Sequence, residues 1–192
     1  YYATSYNSMG SGDWELMAGG SWMGDDPAGS NPTHLNPFSK INQGWVETQL
    51  IEDSTTGISL RPRSLAPDIL EIPLGGDGGS SVGAEERLFI EYISNRAPGA
   101  IFDKAAHGSG LLIWHYDQGG SQNNPSRYNM ALLEYDHRDG TQELRLNLNR
   151  GEPTDPWVDT ALGMNPYTEP NTNRNTPLEE GGSLETGWHI MN

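Results

Sequence analysis

The segment from Gly12 to Trp22, GDWELMAGGSW, constrains the fold more than any other part of the chain. Two tryptophans, a leucine and a methionine stand among glycines that interrupt any regular helix or strand. These large apolar side chains are nevertheless expected to be buried. The segment therefore predicts a tight turn that presses its apolar side chains under another element, and the simplest interpretation is a loop that anchors the core beneath a sheet.

The rest of the chain predicts an α+β fold that is mostly β, with a mixed or antiparallel sheet, one short helix and long loops. The helix is expected from Asn36 as N-cap and Pro37 as its first residue, with Phe38, Ile41 and Trp45 on one face and Gly44 as the stop. Apolar patterning predicts a hairpin over 46–60, an edge strand at 69–74, central strands at 88–93 and 110–117, and further strands at 128–135, 144–148 and 186–191. We expect residues 1–192 to form a single unit, with the turn and the helix in 1–45 and the β-rich part in 46–192.

Charge and composition exclude several functional classes. The formal net charge is −15 and the 11 Lys and Arg residues form no basic run, which argues against nucleic-acid binding. The chain has no cysteine, so disulfides and thiolate metal sites are excluded. No run of about 18 apolar residues is present, so no membrane-spanning helix is expected.

No self-contained active site is visible. HExxH, which places two histidines on one helical face around a zinc ion, is absent, and so are GxSxG and the phosphate-binding glycine motifs. His115 and Asp117 end an apolar strand on the same face and could transfer a proton or bind a metal. The simpler interpretation, a histidine hydrogen-bonded to its carboxylate neighbour, is favoured.

An acidic region follows the predicted strands. Oxygen ligands in a flexible loop are what Ca²⁺ uses, although their spacing here matches no EF-hand. A solvated acidic loop is the more frequent outcome of such a composition. The residues of this possible calcium site are Asp136, Asp139, Asp155 and Asp159, with Glu152, Asn147 and Asn149 nearby.

Four segments in order resemble the secreted zinc metallopeptidases of the immune inhibitor A family. They are GDWELMAGGSW at 12–22, HLNPFSKINQGW at 34–45, GSGLLIWHYD at 108–117 and NRGEPTDPW at 149–157. The strand RLFIEYISNR at 87–96 also fits, and the resemblance covers nearly the whole chain. The family's HExxH motif lies shortly before the turn at 12–22, which we call the Trp/Met turn. The resemblance therefore implies that this chain is the C-terminal part of a catalytic domain, past that motif.

The resemblance implies an extracellular, zinc-dependent endopeptidase that acts on proteins or peptides and takes its zinc ligands from residues that precede Tyr1. Met17 would be the methionine of a metzincin-type Met-turn, with Trp14 and Trp22 packed around it. Glu15 stands where relatives often carry Asp or a small polar residue, and no catalytic role is assigned to it. This chain alone is expected to be inactive. The alternative is a non-catalytic, calcium-stabilised β module that binds a polymer or a cell-surface protein through its Trp and Tyr residues.

Overall fold

The computed structural model describes residues 8–75, 85–121, 127–135, 143–158, 163–177, 179–180 and 182–191. Within these residues the fold is mostly β, with a five-stranded mixed sheet, one short helix and two 3-10 turns, as the α+β prediction requires. The 3-10 turns span Gly12–Trp14 and Gly19–Trp22, and the helix α1 spans Pro37–Asn42. The strands are β1 Gln49–Leu50, β2 Leu70–Gly75, β3 Glu86–Ile93, β4 Gly110–Asp117 and β5 Met130–Leu132.

Helix α1 begins as the sequence predicts. The Asn36 side chain accepts a hydrogen bond of 2.8 Å from the Ser39 amide, and Pro37 occupies the first turn. Gly44 has a φ of +68°, a conformation that ends the helix and that residues with a side chain rarely adopt. The predicted position and both of its signals are confirmed.

The strands lie in the sheet in chain order, β1-β2-β3-β4-β5. Strands β3 and β4 pair antiparallel along their whole length, from Glu86 opposite Asp117 to Ile93 opposite Gly110. Both were expected to be central because each is apolar on both faces, and both are central. Strands β2 and β5 pair antiparallel with their neighbours, whereas β1 runs parallel to β2.

The predicted hairpin over 46–60 is wrong. Gln49 and Leu50 pair in parallel with Leu70 and Glu71, and residues 58–60 form no strand. The prolines of the segment 69–74 suggested an edge strand. Because β1 pairs with the outer side of β2, β2 is not an edge strand, and this prediction is wrong. Pro73 lies beyond the two residues that pair with β1, so its missing N–H removes no hydrogen bond from that ladder.

Two further predicted strands are absent from the described residues, and a third is shorter than expected. Residues 144–148 form turns, in which Asn147 has a φ of +61° that a strand cannot accommodate. The segment 186–191 contributes a single bridge, between Met164 and Ile190. The strand expected at 128–135 is restricted to Met130–Leu132.

Each face of the sheet carries its own apolar cluster. The face that we call the N-terminal face holds Phe89, Ile93 and Trp114, and the N-terminal residues Trp14, Phe38 and Ile41 pack on it. The opposite, C-terminal face holds Leu88, Ile90 and Ile113, covered by Trp157, Met164 and Trp188. Among the helices of the described residues, none has the length and hydropathy needed to cross a bilayer.

Candidate functional site

The Trp/Met turn buries one side and exposes the other. Trp14 and Glu15 are fully buried, whereas Met17 is 61% exposed and Trp22 is 67% exposed. The expectation that this turn buries all its large apolar side chains is therefore wrong for Met17 and Trp22. Neither residue belongs to the apolar cluster on the N-terminal face. Trp14 alone joins the cluster on the N-terminal face.

The first 3-10 turn is pressed against the segment 149–157. The Asp13 amide donates to the Arg150 carbonyl at 2.6 Å, and the Arg150 guanidinium contacts Asp13 at 3.3 Å. Gly12 has a φ of +52°, and a Cβ there would lie 2.2 Å from the Arg150 carbonyl oxygen. Only glycine allows this approach.

Glu15 lies on the inner side of the turn. Its Oε1 accepts a hydrogen bond of 3.5 Å from the Asn36 amide, and the Leu16 amide donates to the His34 carbonyl at 3.1 Å. Burial raises the pKa of Glu15, against the opposing effect of the Met17 backbone hydrogen bond. The turn is thus joined to the residues that lead into α1.

A buried ionic network fixes the turn to the sheet. Arg63 is at its centre, 2.6 Å from Glu91 and 2.9 Å from Asp103, and it donates to the Trp14 carbonyl at 3.0 Å. Lys40 of α1 contacts the other oxygen of Glu91 at 2.7 Å. Burial alone would raise the pKa of Glu91, but Lys40 and Arg63 lower it to about 2. Glu91 is therefore ionised, and the network holds the turn, α1 and β3 in one arrangement.

His34 borders this network as a neutral imidazole. Its Nδ1 accepts a hydrogen bond of 3.1 Å from the Leu35 amide, which requires that this nitrogen carry no proton. Burial, together with the charges of Lys40 and Arg63, lowers the pKa of His34 to about 4. Phe102 packs edge-on against the ring, with 5.0 Å between the ring centroids.

The segment 149–157 brings acidic groups under the same turn. Trp14 Nε1 donates to Asp155 Oδ2 at 2.6 Å, and the Glu152 amide donates to the same oxygen at 3.1 Å. Asp155 is 1% exposed, and burial raises its pKa to about 6 although the Trp14 hydrogen bond opposes the shift. Glu143 and Glu152 place carboxylate oxygens within 4.8 Å of one another and of Asp155.

Only part of the predicted calcium set is in this cluster. Asp136, Asp139 and Asp159 lie outside the described residues. Asp155 and Glu152 do come together, and Glu143, which the sequence analysis missed, joins them. No local signal marks Glu143, because it precedes the leucines that were interpreted as a strand.

The His115 and Asp117 side chains do not form the expected pair. His115 Nε2 lies 2.9 Å from Glu86 Oε2, while Asp117 binds Arg127 at 2.7 and 2.8 Å and accepts from the Asn175 side chain at 2.9 Å. The carboxylate that holds His115 comes from the neighbouring strand β3, not from two residues along its own strand.

The described histidines do not converge on a metal site. His34 borders the network around Arg63, His107 contacts Asp13 at 3.1 Å and His115 contacts Glu86. Among the described residues, the only cluster of three or more metal-ligating side chains is the acidic one, and it contains no histidine. These residues do not fit a zinc peptidase site.

Comparison of the chain with models of known protein families, with curated proteins and with solved structures found no match.

Proposed function

We propose that this chain is part of a secreted, zinc-dependent endopeptidase that hydrolyses proteins or peptides, and that it supplies the floor of the metal site rather than the metal ligands. Met17 is the residue that would underlie the zinc-binding imidazoles, with Trp14 and Trp22 flanking it. The ligands and the general base would belong to an HExxH helix on a preceding part of the same catalytic domain.

The observation that carries this proposal is a turn that is fixed on one side and apolar on the other. Arg63 and Asp155 bind the backbone and the indole of Trp14 from inside, so the position of the turn is determined by the core. On its outer side, Met17 and Trp22 are mostly exposed. Exposed large apolar side chains that lie close together are typical of a surface that another element covers, and Met17 and Trp22 belong to one short turn.

Methionine suits the floor of such a site. Its flexible, polarisable side chain fills irregular space under imidazole rings and does not compete strongly for zinc. A substitution to leucine nearly preserves the volume, whereas a substitution to alanine removes the support.

The test uses a longer protein that contains the residues preceding Tyr1 in the natural sequence. We expect one zinc ion per chain and casein hydrolysis that a chelator abolishes, whereas residues 1–192 alone bind no stoichiometric zinc and cleave nothing. In the longer protein, Met17→Ala is expected to lower zinc occupancy and rate, and Met17→Leu to retain most of both. Met191→Ala is the matched control, because Met191 is 79% exposed and lies outside the turn.

Two results would contradict the proposal. One is stoichiometric zinc and chelator-sensitive hydrolysis in residues 1–192 alone, which would place the whole site within this chain. The other is a Met17→Ala variant of the longer protein with unchanged zinc content and rate, since Met17 would then support nothing.

The competing function is a non-catalytic module that binds a polymer or a cell-surface protein. The observation in its favour is a set of exposed aromatic residues, Trp22 at 67%, Trp45 at 62% and Tyr167 at 78% exposure. The preceding segment separates the two functions, because HExxH there supports the peptidase and an unrelated domain supports the binding module.

A further inference from the structure

The acidic cluster of Glu143, Glu152 and Asp155 has the dimensions of a cation site. One carboxylate oxygen from each residue lies within 4.8 Å of the others. Oxygens bound to one Ca²⁺ lie about 2.3–2.6 Å from it, so two of them can be separated by up to about 5 Å. A single ion can therefore contact all three side chains.

The hydrogen bonding of Asp155 is independent evidence for a ligand. Both hydrogen bonds to the Asp155 carboxylate, from Trp14 Nε1 and from the Glu152 amide, end on Oδ2. Oδ1 is buried and accepts no hydrogen bond from any described residue, in a side chain that is 1% exposed overall. A buried carboxylate oxygen without a donor is costly, and such groups are commonly paired or bound to a metal.

Two nearby basic side chains bind a different carboxylate. His107 and Arg150 both contact Asp13 of the first 3-10 turn, at 3.1 and 3.3 Å. Neither has an ion pair with Asp155 among the described contacts. These two residues therefore form no ion pair that would balance the charge of Asp155. A bound dication would supply that positive charge.

We propose that Glu143, Glu152 and Asp155 bind Ca²⁺. The donor set contains only hard carboxylate oxygens, which favours Ca²⁺ over metals that prefer nitrogen or sulfur. Glu143 and Glu152 are half-buried, so these two ligands are partly accessible from solvent. Irregular loop residues adjust more readily to the variable coordination of Ca²⁺ than to the strict octahedron of Mg²⁺.

The ion would fix the segment 149–157 to the Trp/Met turn. Asp155 already holds the Trp14 indole, and Gly151 passes so close that a Cβ there would lie 2.9 Å from Trp14 Nε1. Binding at Asp155 would therefore act directly on the residue that anchors the turn to the core. This inference does not depend on the peptidase proposal, because it concerns ligands within the described chain only.

The contact between Asp155 and Trp14 provides the experiment. Terbium(III) binds calcium sites and emits when a nearby excited tryptophan transfers energy to it. We expect terbium to give sensitised emission in the chelator-treated, full 192-residue chain, Ca²⁺ to displace it, and calorimetry to give one Ca²⁺ per chain.

The variants assign the site. Glu152→Gln removes the negative charge of a half-buried ligand, and we expect it to weaken Ca²⁺ binding at least tenfold. Asp155→Asn keeps an oxygen for the Trp14 hydrogen bond and is expected to weaken binding further. Glu47→Gln is the matched control, because Glu47 is exposed and remote in sequence from the cluster, and it should leave the affinity unchanged.

Three outcomes would overturn the inference. One is the absence of terbium emission and of calcium heat at millimolar ion. Another is an affinity that Glu152→Gln leaves unchanged, a variant that tests the site even if Asp155→Asn fails to fold. The last is displacement of terbium by Mg²⁺ at lower concentration than by Ca²⁺, which would refute the assignment of the ion.

Discussion

Each face of the sheet is fastened to the rest of the chain by one buried glutamate of β3, and the two glutamates have different partners. On the N-terminal face, Glu91 contacts the ammonium of Lys40 and the guanidinium of Arg63 at 2.7 and 2.6 Å. On the C-terminal face, Glu86 accepts hydrogen bonds from the Asn175 and Thr176 amides and from the Thr176 hydroxyl, at 2.7 to 3.0 Å. His115 and, at 3.4 Å, Arg174 complete its surroundings.

The difference indicates what each face holds. Arg63 also binds Asp103 and the Trp14 carbonyl, so the network on the N-terminal face connects the turn, α1, β3 and the loop before β4. The contacts of Glu86 gather one segment, residues 174–176, onto the end of the sheet. Loss of the first network should therefore unfold the whole molecule, whereas loss of the second should release the C-terminal segment locally.

The largest effect is expected from Arg63→Met. The substitution leaves Glu91 and Asp103 buried without their shared cation, which should lower the free energy of unfolding by about 3–5 kcal/mol. Urea denaturation followed by tryptophan fluorescence measures it. Arg61→Met is the matched control, since Arg61 forms an ion pair with Asp68 but is 69% exposed, and it should not shift the midpoint measurably. Equal midpoints for the two variants would mean that the buried network around Arg63 contributes no more to stability than an exposed ion pair.

The N-terminal face should also lose stability in mild acid because of His34. The pKa of His34 is about 4 in the folded chain and about 6.5 in the unfolded chain, so the unfolded state takes up the proton first. Its stabilising contribution is complete above pH 6.5 and is lost as the pH falls towards 4, by at most about 3 kcal/mol. Glu91, whose folded pKa is about 2, loses its contribution only at lower pH. The charged groups that face His34 are Lys40, Arg63, Glu91 and Asp103.

This pH dependence is measured by urea denaturation of the wild type and of His34→Gln at pH 7 and pH 4.5. The wild type should lose more stability between the two values than the variant. Equal losses would mean that another group carries the dependence.

On the C-terminal face, Glu86→Gln should have a smaller and more local effect. The amide keeps the size but loses the charge that strengthens four hydrogen bonds, which should cost about 2 kcal/mol. We expect limited proteolysis to cut within residues 163–191 while hydrogen exchange in β3 and β4 remains protected. Simultaneous loss of protection in the strands would show that both faces belong to one cooperative unit.

The smallest effect is expected from Met17→Ala in the 192-residue chain alone. Because Met17 is 61% exposed, its truncation should change the free energy of unfolding by under about 0.5 kcal/mol. Thermal denaturation of this variant beside Met191→Ala, exposed to 79%, tests this. A cost well above that of Met191→Ala would mean that Met17 already packs within this chain.

The sequence predicted those elements whose determinants are local. The cap and proline of α1 and the two-sided apolar runs of β3 and β4 depend on neighbouring residues, and all three lie where expected. The parallel pairing of Gln49 with Leu70 is a long-range contact, and the turn residues at 53–57 between them favoured a hairpin with 58–60 instead. The alternation of Leu144, Leu146 and Leu148 was misleading, since Leu146 and Leu148 are 57% and 64% exposed.

The candidate sites were predictable to a similar degree. Asp155 was identified from its acidic, proline-containing segment, but its contact with Trp14 spans 141 residues and only the fold reveals it. Glu86 was missed as the partner of His115 because cross-strand proximity depends on register. The exposure of Met17 and Trp22 could not be foreseen either, because hydrophobicity alone predicts burial.

The short outer strands also bear on aggregation. An unpaired strand edge is a template for another chain, and proteins commonly limit it by keeping edge strands short. Here β1 and β5 have two and three residues, while β3 and β4 have eight each. Beyond β5, Leu111 of β4 exchanges two hydrogen bonds of 2.9 Å with Trp157. The segment 149–157 thereby covers part of the edge that β5 leaves open, and its release would expose an apolar strand to intermolecular pairing.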